Sequence, residues 1–333
     1  GVMLAALLTS VSRPALKTAP AFGIDAPVQA SGKTLLAQTI GALGTGKNPA
    51  VWPHTSARDD EEVRKRIMTA LRSNTLCIVW DNVVGQFDSA ALASALTASE
   101  YTDRILGKSE GATVPNRALF ILTGNNLTIS GDMARRVLPI RIDPVTDEPF
   151  AREFDLNPIE YVLIHRQEMV RAALTIIRGY LTSGTSRAKG RMASFEEWDD
   201  YVRQTVAWVG REFPYRRVAD LMKAVKTAQV SDPEQETLSA LLASWQAVFG
   251  AQSASAKDAL NELNNCLDQT LLPAKGTIRG ALEELNSGRS VASAQLLGRV
   301  LGYRKGRIVN GRRLEAKVDT ATNQKLWRVV DVD

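Results

Sequence analysis

The sequence predicts an α/β fold in which a parallel sheet lies between helices, and three observations carry this prediction. A short apolar segment at residues 21–24 leads into a loop that ends in Gly32-Lys33-Thr34 and then into an amphipathic helix. Two continuous apolar runs, 76–80 and 118–122, end in polar residues. Such runs are typical of strands buried on both faces, and open α/β sheets bind ligands at the carboxyl ends of these strands.

The loop after the first strand is the candidate nucleotide-binding loop, Ala26-Pro27-Val28-Gln29-Ala30-Ser31-Gly32-Lys33-Thr34. Its N–H groups would point at phosphate oxygens, Lys33 would pair with the β- and γ-phosphates, and the Thr34 hydroxyl would bind Mg²⁺. The loop departs from the usual pattern because Pro27 and Ala30 stand where Gly is common, and Pro27 removes a backbone donor. A second Gly-Lys pair lies in Gly44-Thr45-Gly46-Lys47-Asn48, which Pro49 follows at once, and this segment is interpreted as a plain loop.

A carboxylate follows the second apolar run. Asp81 would hold Mg²⁺ through water, together with the Thr34 hydroxyl. In many ATPases the next residue is a Glu that polarises the attacking water, but here it is Asn82, which cannot act as a base. Two alternatives stay open. Either Asn82 only orients the water, or Glu100 or Asp103 supplies the base.

The third apolar run ends in Thr123-Gly124-Asn125-Asn126. An amide at the tip of a strand beside the Asp81 strand is placed to hydrogen-bond the γ-phosphate or the attacking water, and we assign this role to Asn125. Asn126 would then cap the turn, although spacing alone does not separate the two.

Two adjacent arginines come next. Ser130 or Asp132 is expected to cap a short helix that carries Arg135 and Arg136 and leads into a strand. At a subunit edge, one guanidinium would reach a neighbouring subunit's γ-phosphate as an arginine finger. Adjacent helical residues point about 100° apart, so only one of the two is expected to do this. The alternative is a pair of surface arginines in ion pairs.

These four parts, in this order, resemble the AAA+ ATPases. More narrowly, they look like the helicase portion of primase-helicase proteins encoded by prophages and other mobile elements, a group similar to superfamily 3 and MCM-like replicative helicases. The segments that carry the resemblance are residues 22–27, 80–83, 96–107 and 123–136. The match covers residues 1–210 closely and the rest loosely. It implies binding of ATP and Mg²⁺ and a homo-oligomeric ring, a hexamer, that moves on single-stranded DNA.

In such helicases a β-hairpin precedes the third of these strands and points into the ring pore. Residues 104–106 and 112–114 fit its two strands, with Lys108 in the turn between them. A basic tip is suited to follow a phosphate backbone, so Lys108 is a candidate DNA contact. An ordinary surface turn is the alternative.

Bulk properties agree with a globular protein of several domains. The chain has 333 residues, 44% of them hydrophobic, and a net charge of +5. Two cysteines, Cys77 and Cys266, favour a reduced cytoplasmic setting, and two histidines, His54 and His165, argue against a zinc site. The apolar run 2–8 has no basic residues before it and is interpreted as a packed helix. Because the chain starts inside a helical pattern, we expect a primase or polymerase part to precede it.

Helices dominate the middle of the chain. Apolar residues at helical spacing predict helices over 159–181 and 195–208, which we assign to a helical lid, and Ser231-Asp232-Pro233 is expected to start another. Arg171, Arg178 and Arg203 are possible nucleotide-sensing residues of the lid, without a choice among them. A small-residue linker at 250–256 marks a boundary. The predicted domains are therefore 1–150 (ATPase core), 151–250 (lid and connecting helices) and 251–333.

The last domain has the pattern of a winged helix, with three helices (256–267, 277–285 and 292–301) and two strands (307–318 and 325–330). Most of the excess positive charge lies after Gln246, which suggests a polyanionic partner. In the third helix Gln295 and Arg299 are expected to face outward toward duplex DNA. The predicted basic surface continues through Arg304, Lys305, Arg307, Arg312 and Arg313.

Two classes of function remain. The first is an ATP-driven DNA helicase of a phage or mobile-element replication system, with a possible primase or initiation partner. The second is a nucleotide-binding switch or scaffold with slow or no hydrolysis, whose winged helix docks a protein. A pore hairpin and an arginine finger have no use in a monomeric switch, so the sequence favours the first.

Overall fold

The structure, a computed structural model, describes residues 1–53, 60–104, 110–143, 154–230, 233–265, 267, 270–286, 288–320, 322 and 324–332. The chain divides into two compact units, Gly1–Gln229 and Val230–Asp333. We refer to them as the first and second units.

The helices up to the unit boundary are α1 (Val2–Ser12), α2 (Lys33–Thr45), α3 (Asp60–Arg72), α4 (Ala90–Leu96), α5 (Pro158–Thr182), α6 (Glu196–Trp198), α7 (Gln204–Glu212) and α8 (Leu221–Val230). The strands are β1 (Ala21–Ala26), β2 (Val51–Pro53), β3 (Cys77–Val83), β4 (Gln86–Phe87), β5 (Glu100–Arg104), β6 (Gly111–Pro115), β7 (Leu119–Asn125), β8 (Thr128–Ile129) and β9 (Val137–Arg141).

Five of these strands form the central sheet, in the order β2-β3-β7-β1-β9. All four pairings are parallel, so the carboxyl ends of the strands lie at one edge of the sheet. The inner strands β3, β7 and β1 are mostly apolar and buried, as Ile78, Ile121 and Phe22 illustrate, whereas the edge strands β2 and β9 are partly exposed. The predicted α/β class, with a parallel sheet flanked by helices, is confirmed, and β7 lies between β1 and β3.

The helix that follows the candidate loop begins and ends at glycines with left-handed backbone. Gly32 (φ 81°) precedes Lys33, and Gly46 (φ 73°) follows Thr45. The second Gly-Lys pair therefore ends α2 instead of starting a helix. Residues 44 and 45, which were interpreted as loop, are its last helical turn. Such an ending is common because glycine adopts this conformation without steric penalty.

The first helix is packed as predicted, with Ala5, Ala6 and Leu8 in the main core. Thr9 of α1 also accepts a hydrogen bond from the indole N–H of Trp198 (2.8 Å). Cys77, at the start of β3, is a free and buried cysteine, and burial raises the pKa of its thiol to about 12. The second cysteine, Cys266, and His54 lie outside the described residues.

The predicted hairpin is formed by β5 and β6, which pair antiparallel from Glu100–Pro115 to Arg104–Gly111. Residues 105–109, which include Lys108 and part of the predicted first strand, lie outside the described part of the chain. The prediction of a helix that carries Arg135 and Arg136 is wrong. A single 3₁₀ turn, Gly131–Met133, without a side-chain cap, is followed by a turn that contains both arginines. Since β9 already begins at Val137, no room remains for a longer helix.

The predicted lid helices are present. The side chain of Asn157 caps α5, and α6 continues through a π-helical segment, Asp199–Arg203, into α7. Arg203 is fully buried and pairs with Asp199 and Asp220, both at 3.1 Å. Burial opposes the charge on Arg203, but the two carboxylates outweigh it and raise its pKa. This arginine therefore stabilises the fold, whereas Arg171 and Arg178 are exposed.

The second unit contains α9 (Pro233–Phe249), β10 (Ala254–Ser255), α10 (Ala256–Asn264), α11 (Leu272–Leu285), α12 (Ala294–Gly302), β11 (Ile308–Val309), β12 (Arg312–Val318) and β13 (Lys325–Asp331). The strands form an antiparallel sheet in the order β10-β13-β12-β11. Asn310 and Gly311 form the turn between β11 and β12, and both have positive φ, as a two-residue hairpin turn of type I′ requires.

The unit boundary precedes α9, whereas the predicted boundary at residues 250–251 follows it. The reason is that α9 contributes Leu238, Leu242 and Trp245 to the core of the second unit, together with Leu297 and Trp327. The predicted capping residues 231 and 232 lie outside the described residues. The three helices and the strands of the C-terminal part are present at nearly the predicted positions. Their assignment as a winged helix stays a prediction, as does the division into three domains.

Candidate functional site

The candidate loop connects β1 to α2 at the carboxyl edge of the sheet. Ala30 (φ 57°) and Gly32 (φ 81°) both have left-handed backbone, so the position at which Ala replaces a common Gly is one that favours glycine. The first backbone hydrogen bond of α2 runs from Leu36 to Gly32 (2.9 Å), and no side chain caps the helix. The N–H groups of the first turn therefore remain available to an anion, with the favourable end of the helix dipole behind them.

Lys33 begins α2 and is mostly buried. Its Nζ donates to Oδ1 of Asn125 (2.6 Å) and to the carbonyl of Val28 (3.1 Å). Burial lowers the pKa of Lys33, and the nearby carboxylates of Asp25 and Asp81 oppose this effect. The amine is thus held between the loop and the end of β7, with two neutral oxygen acceptors that a phosphate group can replace.

Asp81 lies near the end of β3 and accepts two short hydrogen bonds on a single oxygen. The hydroxyls of Thr34 and Thr123 both donate to its Oδ1, each at 2.6 Å. The predicted pairing of Thr34 with Asp81 is therefore present in the geometry. Thr123 was not predicted as a site residue, although it follows the third apolar run. Its hydrogen bond to Asp81 joins β7 to β3.

The residue after Asp81 has an unusual conformation. Asn82 has φ 58°, its side chain is exposed, and its backbone N–H donates to Oγ1 of Thr123 (3.2 Å). The ladder between β3 and β7 is irregular here, because the pairing shifts between Trp80 and Val83. The irregularity turns the Asn82 side chain toward solvent at the edge where the candidate loop lies.

The two alternative carboxylates lie on the hairpin. Asp103 pairs with Arg64 of α3 (3.0 Å), and Glu100 is exposed at the start of β5. Among the hydrogen bonds between described residues, none links either carboxylate to Asp81 or Lys33. Neither carboxylate therefore takes part in the hydrogen bonds that join Lys33 to Asn125 and Thr34 to Asp81.

The two asparagines after the third apolar run differ in backbone and in contacts. Asn125 is the last residue of β7 and its side chain contacts Lys33, whereas Asn126 is exposed, has φ 49° and donates its N–H to the carbonyl of Ala26 (3.2 Å). Asn126 is thus the turn residue. Asn125 is placed at the site, in line with the role that we assign to it.

Asp25 is a further carboxylate of the site that the sequence reasoning missed. It lies on β1 immediately before the candidate loop, accepts the N–H of Leu127 (2.8 Å) and pairs with Arg141 at the end of β9 (3.3 Å). A carboxylate at the end of an apolar strand was a sufficient signal, since Asp81 was recognised by the same argument. Its side chain is only 13% exposed, so its role is to hold the turn after β7 close to the loop.

The two arginines before β9 have different surroundings. Arg136 donates to the carbonyl of Ala93 and to the hydroxyl of Thr97, and it pairs with Asp132. Its side chain is only 10% exposed. Burial lowers its pKa despite Asp132. Arg135 is 39% exposed and pairs with Asp132 alone (2.7 Å). Arg135 is therefore the more accessible of the two, because reaching another molecule would break only its contact with Asp132.

The candidate DNA contacts of the second unit also differ in accessibility. Gln295 and Arg299 are exposed on α12, while Leu297, Val300 and Leu301 pack inward, as predicted. Arg304 is only 14% exposed because it donates to the carbonyls of Leu285 and Val300 and lies 3.4 Å from Glu234.

Two arginines of β12 are partly exposed and paired with carboxylates. Arg312 lies 3.5 Å from Asp331, and Arg313 donates to Glu315 (2.7 Å). Arg307, before β11, also pairs with Glu234 (3.0 Å). Arg299 and Lys305 are therefore the cationic candidates that combine exposure with the absence of an ion pair to another described residue.

Comparison with known proteins leaves the family open, because no family model and no curated protein match the chain. Among solved structures, the apo A form of the NrS-1 C-terminal region is similar at 13% identity and TM-score 0.43, over 99% of this chain and 70% of that one. A JCV helicase structure with a bound acetamide compound aligns at 13% identity and TM-score 0.29, over 69% of this chain and 66% of that one. Another JCV helicase structure aligns at 12% identity and TM-score 0.26, over 70% of this chain and 66% of that one. Likenesses this distant establish neither a family nor an activity.

Over the described residues, no helix is both long enough and apolar enough to cross a membrane.

Proposed function

We propose that the first unit binds ATP with Mg²⁺ and hydrolyses it, and that the chain acts as an ATP-dependent DNA helicase. The observation that carries the proposal is the convergence of four side chains from two neighbouring strands and one helix. Lys33 contacts Asn125, and Thr34 contacts Asp81, at the open N-terminus of α2.

The residues present fit a magnesium nucleotide. The free N–H groups at the start of α2 and the Lys33 amine are donors for phosphate oxygens, and the Thr34 hydroxyl and Asp81 carboxylate are the hard oxygen ligands that Mg²⁺ prefers. When bound, Mg²⁺ would neutralise charge that develops on the phosphates. Binding requires Thr34 to turn its hydroxyl hydrogen away from Asp81, while Thr123 still holds that carboxylate in place.

Asn125 and Asn82 are the candidate water-orienting groups. Asn125 lies at the end of β7, between β1 and β3, and contacts Lys33, so its amide is within reach of the end of a phosphate chain held by Lys33. Asn82 carries no proton-accepting group for general base catalysis, so its exposed amide would only orient a water molecule.

Arg135 completes the proposed machinery in a second subunit. The guanidinium is exposed and internally tied only to Asp132, which suits a group that reaches across a subunit boundary. This supports a homo-oligomeric ring, for which we propose a hexamer that moves on single-stranded DNA. Lys108 would contact that strand, and Gln295 and Arg299 would contact duplex DNA. A phage or mobile-element replication system with a primase partner is the proposed setting.

A nucleotide-binding switch is the second candidate function, and two observations favour it. Asn82 replaces the usual Glu, and the strained backbone of Ala30 together with Pro27 leaves the loop less adapted to close phosphate contact. In this case ATP binds without rapid turnover, and the second unit docks a protein.

An ATPase assay with and without single-stranded DNA tests the proposal. We expect Mg²⁺-dependent hydrolysis that DNA stimulates, loss of turnover in Lys33→Ala, and a raised Mg²⁺ requirement in Asp81→Asn. Lys47→Ala is the matched control, because Lys47 is exposed after the end of α2. Binding of a fluorescent ATP analogue is measured in parallel.

The outcomes separate the candidates. Hydrolysis at the parental rate by Lys33→Ala or Asp81→Asn would show that the site is assigned wrongly. ATP binding that depends on Lys33, without turnover in the presence or absence of DNA, would favour the switch.

A further inference from the structure

A row of aromatic side chains leads from the interior of the first unit to its surface. Tyr180, Trp208, Phe213 and Tyr215 form this aromatic ladder, with successive ring centroids 6.4, 6.2 and 6.1 Å apart. Exposure rises along it, from 8% at Tyr180 to 38% at Phe213 and 71% at Tyr215. The last two contacts are edge-to-face, at 86° and 90°. A mostly exposed ring is thus supported from below by packed rings.

The segment that carries the outer rings is held in one conformation. After α7, Phe213 donates its N–H to Val209 (2.9 Å), and Pro214–Arg216 form a 3₁₀ turn closed by the bond from Arg217 to Pro214 (3.1 Å). The chain then folds back so closely that a Cβ on Gly210 would collide with the Val218 carbonyl. A preorganised ring loses little conformational entropy when a ligand binds.

Arg217 has left-handed backbone (φ 52°), which is uncommon for a residue with a long side chain. An asparagine or glycine would adopt this conformation at lower free energy. Strain at an exposed loop residue is often associated with a binding role, and here it accompanies a positive charge.

The charges around the ladder are mainly positive. Arg216 stacks over the ring of Tyr215, with its guanidinium carbon 5.3 Å from the ring centroid. Arg211 donates to the carbonyl of Ser186 (3.1 Å). Neither Arg216 nor Arg217 forms an ion pair with another described residue, and the single acidic neighbour in residues 211–217 is Glu212.

We propose that the exposed end of the ladder, Phe213, Tyr215, Arg216 and Arg217, is a binding site for single-stranded DNA. An unpaired base would stack on Tyr215, and the two arginines would contact the adjacent phosphates. The observations favour this ligand over a protein because the site combines one flat exposed ring with unpaired cations, instead of a broad apolar surface. Duplex DNA does not offer a base face to the ring, which gives the site a preference for single strands.

The site extends the proposed action on DNA, and the two can be tested separately. Fluorescence anisotropy of a labelled oligothymidylate, with the full chain and no nucleotide, measures the site directly. Base stacking on an aromatic ring is worth about 1–3 kcal/mol, so Tyr215→Ala should weaken binding by roughly 5- to 150-fold. Tyr215→Phe should bind as the parent does. Tyr161→Ala, at a partly exposed tyrosine of α5, is the matched control and should leave affinity unchanged.

Arg217→Gly tests the phosphate contact without adding strain, since glycine accepts the same backbone conformation. We expect the slope of log affinity against log salt to fall by about 0.7, as for the loss of one phosphate contact with a single strand. None of the variants should unfold at a lower temperature than the parent.

Unchanged affinity in Tyr215→Ala would overturn the proposal, and this is the result expected if the ladder docks a protein. An equal loss for duplex and single-stranded DNA would overturn it as well. If the parental chain hydrolyses no ATP but Tyr215→Ala still weakens oligothymidylate binding, the result would support this site and refute only the proposed ATP-dependent helicase. If Tyr215→Ala keeps both its ATP turnover and its affinity for oligothymidylate, the result would refute only this site.

Discussion

The Nζ of Lys33 lies 2.6 Å from Oδ1 of Asn125, so the amine at the start of α2 and the amide at the end of β7 contact each other directly. The contact connects the candidate loop to the strand between β1 and β3. It also distinguishes Asn125 from its neighbour, which supports a specific prediction.

Asn125→Ala should lower ATP turnover by about 10²-fold, the effect typical for removal of one preorganised polar group from an active site. Nucleotide binding should change little, because Lys33 keeps its loop contact with Val28 (3.1 Å). Asn126→Gly is the control, since glycine accepts the left-handed backbone of the turn. Steady-state kinetics with both variants decide the assignment, and a larger loss in Asn126→Gly would reverse it.

Alanine substitutions at Arg135 and Arg136 should affect different properties, turnover in the first case and stability in the second. Arg136→Ala leaves the carbonyl of Ala93 without its buried partner, so we expect a loss of about 1–3 kcal/mol in the free energy of unfolding. Arg135→Ala should change stability by no more than about 0.5 kcal/mol, as at other surface sites, yet abolish turnover. Denaturant unfolding and ATPase assays measure the two effects.

Mixing Arg135→Ala subunits with Lys33→Ala subunits extends this prediction to the assembly. Some sites in a mixed ring then combine an intact loop with an intact arginine, so activity should exceed the weighted sum of the two variants. Additive activity over a range of mixing ratios would exclude an arginine finger at position 135.

Replacement of Ala30 by Gly should be neutral or stabilising. The φ of 57° imposes a strain on alanine of about 1–2 kcal/mol, which glycine removes, while the greater freedom of glycine in the unfolded chain offsets up to about 1 kcal/mol. Ala172→Gly, at an exposed position inside α5, should instead destabilise by about 1 kcal/mol. Thermal unfolding of both variants, without nucleotide, shows whether each substitution raises or lowers the stability. Equal destabilisation would mean that Ala30 is not strained.

Arg299 and Arg304 offer a matched pair in the second unit. Arg299→Ala should weaken duplex binding and reduce its log–log salt slope by about 0.9, without a change in stability. Arg304→Ala should destabilise the unit by about 1–3 kcal/mol, because the carbonyl of Leu285 loses its donor. Duplex titrations at several salt concentrations, together with unfolding curves, measure both. Parental affinity in Arg299→Ala would remove α12 from the proposed DNA surface.

Much of the sheet and the centre of the site could be predicted from the sequence because the signals are local. Apolar runs followed by polar residues gave β1, β3 and β7, and the loop geometry brought Thr34 to Asp81 as expected. The same strand-end signal was present at Asp25, although it was not used.

Other features depend on backbone angles or distant packing and could not be predicted. The difference between Asn125 and Asn126 arises from a single φ value. The burial of Arg136 depends on where α4 lies, far away in sequence. The predicted boundary at residues 250–251 differs from the unit boundary because small residues at 250–256 signal a turn but not which core the preceding helix joins. That helix, α9, contributes Trp245 to the second unit.

The position of β7 has a mechanical consequence for the first unit. The strand before the candidate loop and the strand that carries Asp81 do not pair with each other, since β7 lies between them and pairs with both. Two backbone ladders therefore fix their separation at about 10 Å. The two strands cannot approach each other without shearing one of these ladders. Any tightening around a bound phosphate must come from residues 27–32 and from side-chain rotation, while the sheet itself stays rigid.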